Sequence, residues 1–371
     1  TNRARPPGEK TVRYEVVEAK TARGLGFDPS SGSRGGNVPC PFCGTVADSD
    51  YVKAQGQAGR IGVQPMAVIC THPEESGKRY LAVEDAPASV WPNDEAIWAR
   101  IRALETDTAA HLGGPLTVPE EQIVTDAKGS AWVIQYGIES FGDLFTPRQL
   151  LSLFAFAKYA RQAYTEMQTY SYAQEQAKAI VTYLGILVDR LADYNSSLCN
   201  WHNTGEKIGH TYARQALPMV WDFVEINPLG NASGNALSAL EWIINVIRNT
   251  SNLGIPAQVW RTSATSLPFA TGTLDAVITD PPYYDNVAYA DLSDFFYTWL
   301  KRSIGFLHPE HFSYSLTPKK REAVADATRH EGDREQASKV YEQMMRQAFA
   351  EAGRVLKPKA PLVIVYAHKT T

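Results

Sequence analysis

Residues 274–284 read Leu-Asp-Ala-Val-Ile-Thr-Asp-Pro-Pro-Tyr-Tyr. The apolar run ending at Thr279 suits a buried parallel strand. Pro281 and Pro282 lack N–H donors and fix φ, so the strand stops before them. Asp280 is thereby expected at the carboxyl edge of a sheet, where open α/β folds place their chemistry. A carboxylate, two rigid imide carbonyls and a phenol ring are suited to gripping a planar aromatic amine. Such an amine is a poor nucleophile because its lone pair is delocalised into the ring. If Asp280 Oδ and the Pro281 carbonyl accept its two N–H groups, the nitrogen becomes pyramidal and the lone pair localises. Tyr283 would stack on the ring face, which contributes on the order of 1–3 kcal/mol.

The elements that must position this rim alternate between strand and helix from about residue 217. Strands are expected at 220–226, 257–262, 274–279 and 361–367, and helices at 236–248, 288–301 and 339–356. That order predicts an α/β fold with a parallel sheet. Upstream, Thr146-Pro147 is a helix start with an N-cap and a first-turn proline, and a second long helix is expected over 172–194. Short β-like runs at 12–19, 67–70, 79–83 and 132–138, and a short helix at 94–104, complete the reading.

Asp280-Pro281-Pro282-Tyr283 resembles the catalytic motif of S-adenosylmethionine-dependent methyltransferases that modify exocyclic base amines. The surrounding layout, with Ser266-Leu267-Pro268-Phe269 before the strand and Ala352-Gly353-Arg354-Val355-Leu356-Lys357-Pro358 after it, is similar to the second half of a Rossmann-like methyltransferase domain. Longer strings are more particular: Tyr284-Asp285-Asn286-Val287, Tyr289-Ala290-Asp291-Leu292-Ser293-Asp294-Phe295-Phe296, Arg214-Gln215-Ala216-Leu217-Pro218-Met219 and Ala367-His368-Lys369. Together they resemble a family of large bacterial and archaeal adenine-specific DNA methylases that carry an amino-terminal domain of unknown function. The resemblance implies direct methyl transfer to an amine of a flipped DNA base, adenine N6 rather than cytosine. It implies S-adenosylmethionine as cofactor and DNA as partner, with a restriction or defence system as a further one. Asp280, Pro281, Pro282 and Tyr283 would be catalytic. Tyr283, Tyr284, Asp285 and Asn286 would line the base pocket.

In that family a Gly-rich cofactor loop precedes the segment seen here, and no Phe-x-Gly-x-Gly or G-x-G-x-x-G follows a strand in this chain. The chain, which begins at Thr1, therefore reads as a piece lacking that loop, with reduced or no activity alone. Cofactor contacts then fall to Asp280, to Glu225 at the expected end of the 220–226 strand, where it could accept ribose hydroxyls, and to Ser263. For Glu225, capping the next turn or pairing with an arginine is the competing reading. Two other functions stay open: an RNA guanine-amine methyltransferase, in which the same tetrapeptide occurs, and a non-catalytic nucleic-acid-binding protein on a methylase-derived core.

Pro39-Cys40-Pro41-Phe42-Cys43-Gly44 is a zinc knuckle by spacing, with Gly44 permitting the tight turn behind the thiolates. Cys70 and His72 would complete a tetrahedral site, and thiols packed without metal are the alternative. Cys199 has no evident partner. Four cysteines in 371 residues are not a disulfide scaffold, which points to a reducing, cytoplasmic setting. A net charge of −4 does not advertise nucleic-acid binding. The arginine-rich first residues and Lys319-Lys320-Arg321 are local patches that would either meet phosphates or stay solvated. No apolar stretch approaches the roughly 18 residues of a membrane span. The expected organisation is a basic irregular segment (1–38), a zinc-ribbon-like β module (39–85), a mixed connector (86–140), a helical subdomain (141–216) and a partial Rossmann-like catalytic half (217–371).

Overall fold

The computed structural model describes residues 12–19, 21–27, 32, 37–40, 43–87, 92–111, 114, 116–123, 131–284 and 287–366. In chain order these hold a hairpin of β1 (Val38–Pro39) and β2 (Val46–Ala47), helix α1 (Ser49–Gln57), and a second hairpin of β3 (Val68–Cys70) and β4 (Arg79–Leu81). Helices α2 (Asp94–His111), α3 (Pro147–Thr169) and α4 (Gln174–Asp193) follow, then a short hairpin of β5 (Trp201–His202) and β6 (Lys207–Ile208). Helix α5 (Ala236–Thr250), strand β7 (Val277–Thr279), helices α6 (Tyr289–Ile304) and α7 (Arg334–Val355), and strand β8 (Leu362–Ile364) complete the order. β7 and β8 pair in parallel; the other three pairs are antiparallel.

The helices form where the sequence supplies both periodicity and caps. Thr146 Oγ1 accepts from Gln149 N at 3.3 Å while Gln149 Oε1 accepts from Thr146 N at 2.9 Å, a reciprocal capping box with Pro147 in the first turn. The apolar stripe of α3 buries Leu150, Leu153, Phe154 and Ala157 against α4, which contributes Leu187, Val188, Leu191 and Ala192. Helix α6 belongs to the same core: Trp299 is fully buried, with its ring edge-on to Phe145 (5.4 Å) and Phe154 (6.2 Å), and Phe295 stacks on Phe145. The core therefore runs across residue 216 and joins the α6 that follows the 280–283 motif to α3 and α4.

A buried charge network ties this core to the preceding loop. The Arg302 guanidinium is bidentate to Glu121 at 2.9 and 3.0 Å and also donates to the Thr117, Val118 and Thr298 carbonyls. Arg161 donates to the Arg302 carbonyl and to Gly114 O. Burial, and then the neighbouring Arg302 charge, lower Arg161 to about 10.

Several expected strands do not form, for one physical reason: a strand needs a partner. Residues 12–19 and 257–262 have no ladder partner among the described residues, and Val259 is 91% exposed. Residues 220–226 are irregular because their donors are taken by the turn after α4: Val224 N donates to Cys199 O and Ile226 N to Asn195 Oδ1. Trp132–Tyr136 is a 3₁₀ turn, closed by Gly137 at φ 81°. Gly137 lies against Gly56 of α1, where a Cβ on either glycine would fall 2.2–2.3 Å from the other segment's carbonyl oxygen. Helix α1 was not expected; Asp48 caps it by accepting from Tyr51 N. The Rossmann-like sheet expected from the alternation is, among the described residues, one parallel pair.

The Arg302–Glu121 pair gives a stability test. Glu121→Ala leaves a buried guanidinium uncompensated and should cost about 3–5 kcal/mol, since removing one partner of a buried pair is more damaging than replacing both. Chemical denaturation of Glu121→Ala against an Arg302→Met, Glu121→Leu double variant checks this: the double variant should recover part of the loss.

Candidate active site

The β7–β8 ladder places the rim. Leu274 bridges Leu356, the register runs Val277–Leu362, Ile278–Val363 and Thr279–Ile364, and Val365 N donates to Thr279 O at 2.9 Å. The next residue, Asp280, is the first beyond the ladder. Below it, Arg354 of α7 donates to the carbonyls of Leu267 and Phe269, and Glu351 Oε2 accepts from Leu267 N. Hydrogen bonds from Arg354 pull the Glu351 carboxyl down to about 2. This clamp fixes the segment that leads into the strand.

Asp280 is exposed, and its Oδ1 accepts a 2.9 Å hydrogen bond from the Tyr283 hydroxyl three residues on. The Tyr283 ring meets Tyr366, just past β8, edge-to-face at 5.1 Å and 73°. The Pro282 carbonyl is already engaged, by the Tyr341 hydroxyl of α7 at 2.8 Å. Among the described residues nothing donates to the Pro281 carbonyl and no cation pairs with Asp280. Tyr284 turns away toward α7: its hydroxyl donates to Ser338 Oγ at 2.5 Å and its ring meets Tyr341 at 5.0 Å. It therefore braces the loop instead of facing the open rim with Tyr283. Asp285, Asn286, His368 and Lys369 lie outside the described residues.

The loop after the motif is held by ions. Asp294, 1% exposed, accepts from Lys319 Nζ at 2.5 Å and from Thr317 N and Oγ1 at 2.8 and 2.6 Å. Arg329 bridges Asp291 (2.5 Å) and Glu322 (2.8 Å). Burial raises the Asp291 carboxyl against the opposing pull of Arg329. Of the expected basic patch, Lys319 is thus a structural cation; Lys320 and Arg321 remain exposed.

The two other expected cofactor contacts are engaged elsewhere. Glu225 makes a bidentate ion pair with Arg148 at the start of α3, 2.8 Å on each oxygen, which is the arginine-pairing alternative. Ser263 Oγ accepts from Thr265 N and contacts Thr265 Oγ1 at 2.8 Å, an exposed local turn. Neither shares a hydrogen bond or ion pair with Asp280 among the described residues.

Cys40 and Cys43 sit in the β1–β2 hairpin turn, with Gly44 N donating to Cys40 O at 2.9 Å and Cys40 N to Thr45 O at 2.8 Å. The Cys43 sulfur lies 3.3 Å from Thr45 Oγ1, and hydrogen bonding there lowers its thiol. Cys40 and Cys43 are thus held at the two ends of one short turn. Cys70 ends β3, and His72 Nδ1 accepts from Glu74 N; these two do not converge on the knuckle. Among the described residues, the His, Cys, Asp and Glu ligand atoms that gather three together within 4.8 Å belong to His308, Glu310 and His311. The sequence reading passed over them, although His-Pro-Glu-His is a visible signal.

Comparison with protein-family models, with curated proteins and with solved structures returns no match. No helix among the described residues is long and apolar enough to cross a membrane.

Tyr341 offers a direct check on how the rim is held. Burial, then its hydrogen bonding with Tyr366, pushes its phenol from 10.0 up to about 12. The proton is held more tightly in the folded chain, so the contribution of the neutral phenol is complete below pH 10 and is lost as the pH rises through 12. An absorbance titration of the intact chain minus that of Tyr341→Phe should isolate one tyrosinate with a midpoint near 12. A midpoint at the ordinary value would show that Tyr341 is not buried against Tyr366 as the structure has it.

Proposed function

We propose that the chain is the catalytic part of an S-adenosylmethionine-dependent methyltransferase acting on an exocyclic base amine of DNA, with adenine N6 as the target. One observation carries the proposal. Among the described residues, five carboxylates of the segments around the motif are held in ion pairs: Asp291 and Glu322 by Arg329, Asp294 by Lys319, Glu351 by Arg354 and Asp275 by Lys357. Among the described residues Asp280, at the strand end, is exposed and its hydrogen-bond partner is the Tyr283 hydroxyl. A carboxylate left open at a strand end, where these neighbours are ion-paired, is available to accept the N–H groups of a substrate amine.

The rim residues support the chemistry. Asp280 has about four lone-pair positions, of which Tyr283 fills one. The Asp280 carboxylate and the Pro281 carbonyl can each accept one N–H of a planar amine. Tyr283, fixed by its own hydrogen bond, offers a ring beside that point. S-adenosylmethionine, when bound, supplies an electrophilic methyl group. The amine nitrogen would bond to that methyl as its carbon–sulfur bond breaks and the sulfonium leaves as a neutral thioether, and the nitrogen would then lose one proton, for which Asp280 is the carboxylate at hand. Asp280 fits this role in exposure and pairing. Glu225 and Ser263 do not fit ribose binding as they stand, so no residue of this chain is assigned to the cofactor's ribose. DNA and adenine as targets rest on the family resemblance.

The test is mass-resolved methylation of duplex DNA and of structured RNA by the full-length protein. Asp280→Ala should lower DNA methylation by at least about 100-fold, the scale of one directed transition-state group, with the fold unchanged by circular dichroism. Equal labelling by variant and parent removes Asp280 from the chemistry. Labelling of RNA alone moves the substrate class.

A further inference from the structure

The turn after α6 carries chemistry that the proposed methyl transfer does not use. We propose that His308, Glu310 and His311 form a surface site for one divalent transition-metal ion of the zinc class, with Thr182 of α4 orienting one of its ligands. Two imidazoles and a carboxylate are borderline ligands of the kind zinc takes, and three protein ligands leave one position for water. His308 Nδ1 lies 3.8 Å and His311 Nε2 3.6 Å from Glu310 Oε1. Bonds of about 2.0–2.1 Å in a tetrahedron separate ligand atoms by about 3.4 Å, so only a few tenths of an ångström separate these contacts from coordination.

The scaffold is set independently of any ion. Pro309 fixes the turn, His311 N donates to His308 O at 2.9 Å, and the two imidazole rings stack at 6.0 Å and 20°. Phe312 then packs on Tyr297 at 5.2 Å, anchoring the far end of the turn.

One tautomer of His308 suits a metal, and its hydrogen bonds allow it. With Thr182 Oγ1 donating to the Lys178 carbonyl at 2.8 Å, the same oxygen can accept from His308 Nε2, at 2.9 Å. The proton is then on Nε2, and the Nδ1 lone pair faces Glu310. This is the arrangement by which an outer hydrogen bond readies a histidine for a metal.

His311 is set the other way. Arg261 NH1 lies 3.1 Å from His311 Nδ1 and, as a pure donor, keeps the lone pair there and the proton on Nε2. The same guanidinium nitrogen is 3.4 Å from the His311 carbonyl. A shift to that oxygen would free Nδ1 to take the proton and turn the Nε2 lone pair to the ion. Arg261 is thus a built-in competitor, and the nearby Lys178 charge opposes a cation as well. Removing Arg261 should strengthen the site.

Cobalt(II) titration of the intact chain, read by visible absorption, tests this. The expected result is one equivalent bound with visible ligand-field bands but without the near-ultraviolet thiolate charge-transfer band that ions on Cys40 and Cys43 would add. His311→Ala and Glu310→Gln should abolish those bands. Thr182→Val, which keeps all three ligands and removes only the orienting hydroxyl, should weaken binding about 10–100-fold. Arg261→Gln should tighten it. Thiolate-free bands that persist in His311→Ala, or no saturable binding in both the intact chain and Arg261→Gln, overturn the proposal. Asp280→Ala should bind cobalt as the parent does, so the outcome is separable from that of the methylation test.

Discussion

A short parallel ladder decides where the chemistry of this chain can be. It runs from the Leu274–Leu356 bridge to the bond between Val365 N and Thr279 O. Each of its hydrogen bonds is worth only about 1 kcal/mol net, so the ladder is not the main source of stability. Its importance is geometric. It forces the chain to leave the sheet at Asp280, with two prolines that cannot turn back into it. The Arg354–Glu351 clamp holds the approach, and the Tyr341 hydroxyl holds the exit at the Pro282 carbonyl. Three contacts thus fix the backbone on both sides of one exposed carboxylate.

The large helical core serves this small pair at a distance. Trp299 and Phe295 lock α6 against α3 and α4, and α6 begins a few residues after the motif. Asp291 and Asp294 project from α6 to gather Thr317, Lys319 and Arg329, so the returning segment is pinned by ions. Buried pairs of this kind add little net stability over apolar packing but fix one arrangement against its alternatives. Here the arrangement fixed is the path of the chain around the rim. The apolar side of β7 is left uncovered, with Ile278 74% exposed.

What the sequence made legible follows from which forces are local. The α3 start was readable because Thr146, Pro147 and Gln149 cap their own helix. α4, α5 and α6 announce themselves by apolar residues at helical spacing. Asp280 was readable because the prolines beside it constrain the backbone with no help from elsewhere. The 220–226 and 257–262 runs have strand composition, yet a strand exists only if another segment offers its N–H and C=O groups, which is not written in the run itself. The ion pair of Glu225 is equally unwritten in that run, because its partner, Arg148, is 77 residues away. Helix α1 was hidden because its packing is a contact between backbones at Gly56 and Gly137, with no apolar stripe to advertise it.

The aromatic geometry at the rim limits how a substrate could sit. Tyr283 and Tyr366 meet at 73°, so a single flat ring cannot lie parallel to both. One of them must be the platform and the other its buttress. Tyr283 is the one tied to Asp280, through a 2.9 Å bond from its own hydroxyl. Ring and carboxylate therefore move as one unit, three residues apart on a proline-stiffened turn. An amine bound to that carboxylate would have its parent ring beside Tyr283 without further adjustment, and Tyr366 would resist tilting of that platform. Preorganisation of this kind lowers the ordering cost of binding. On the proposed reading, a phenylalanine at position 283 would keep the stacking face but lose the tether that aligns it.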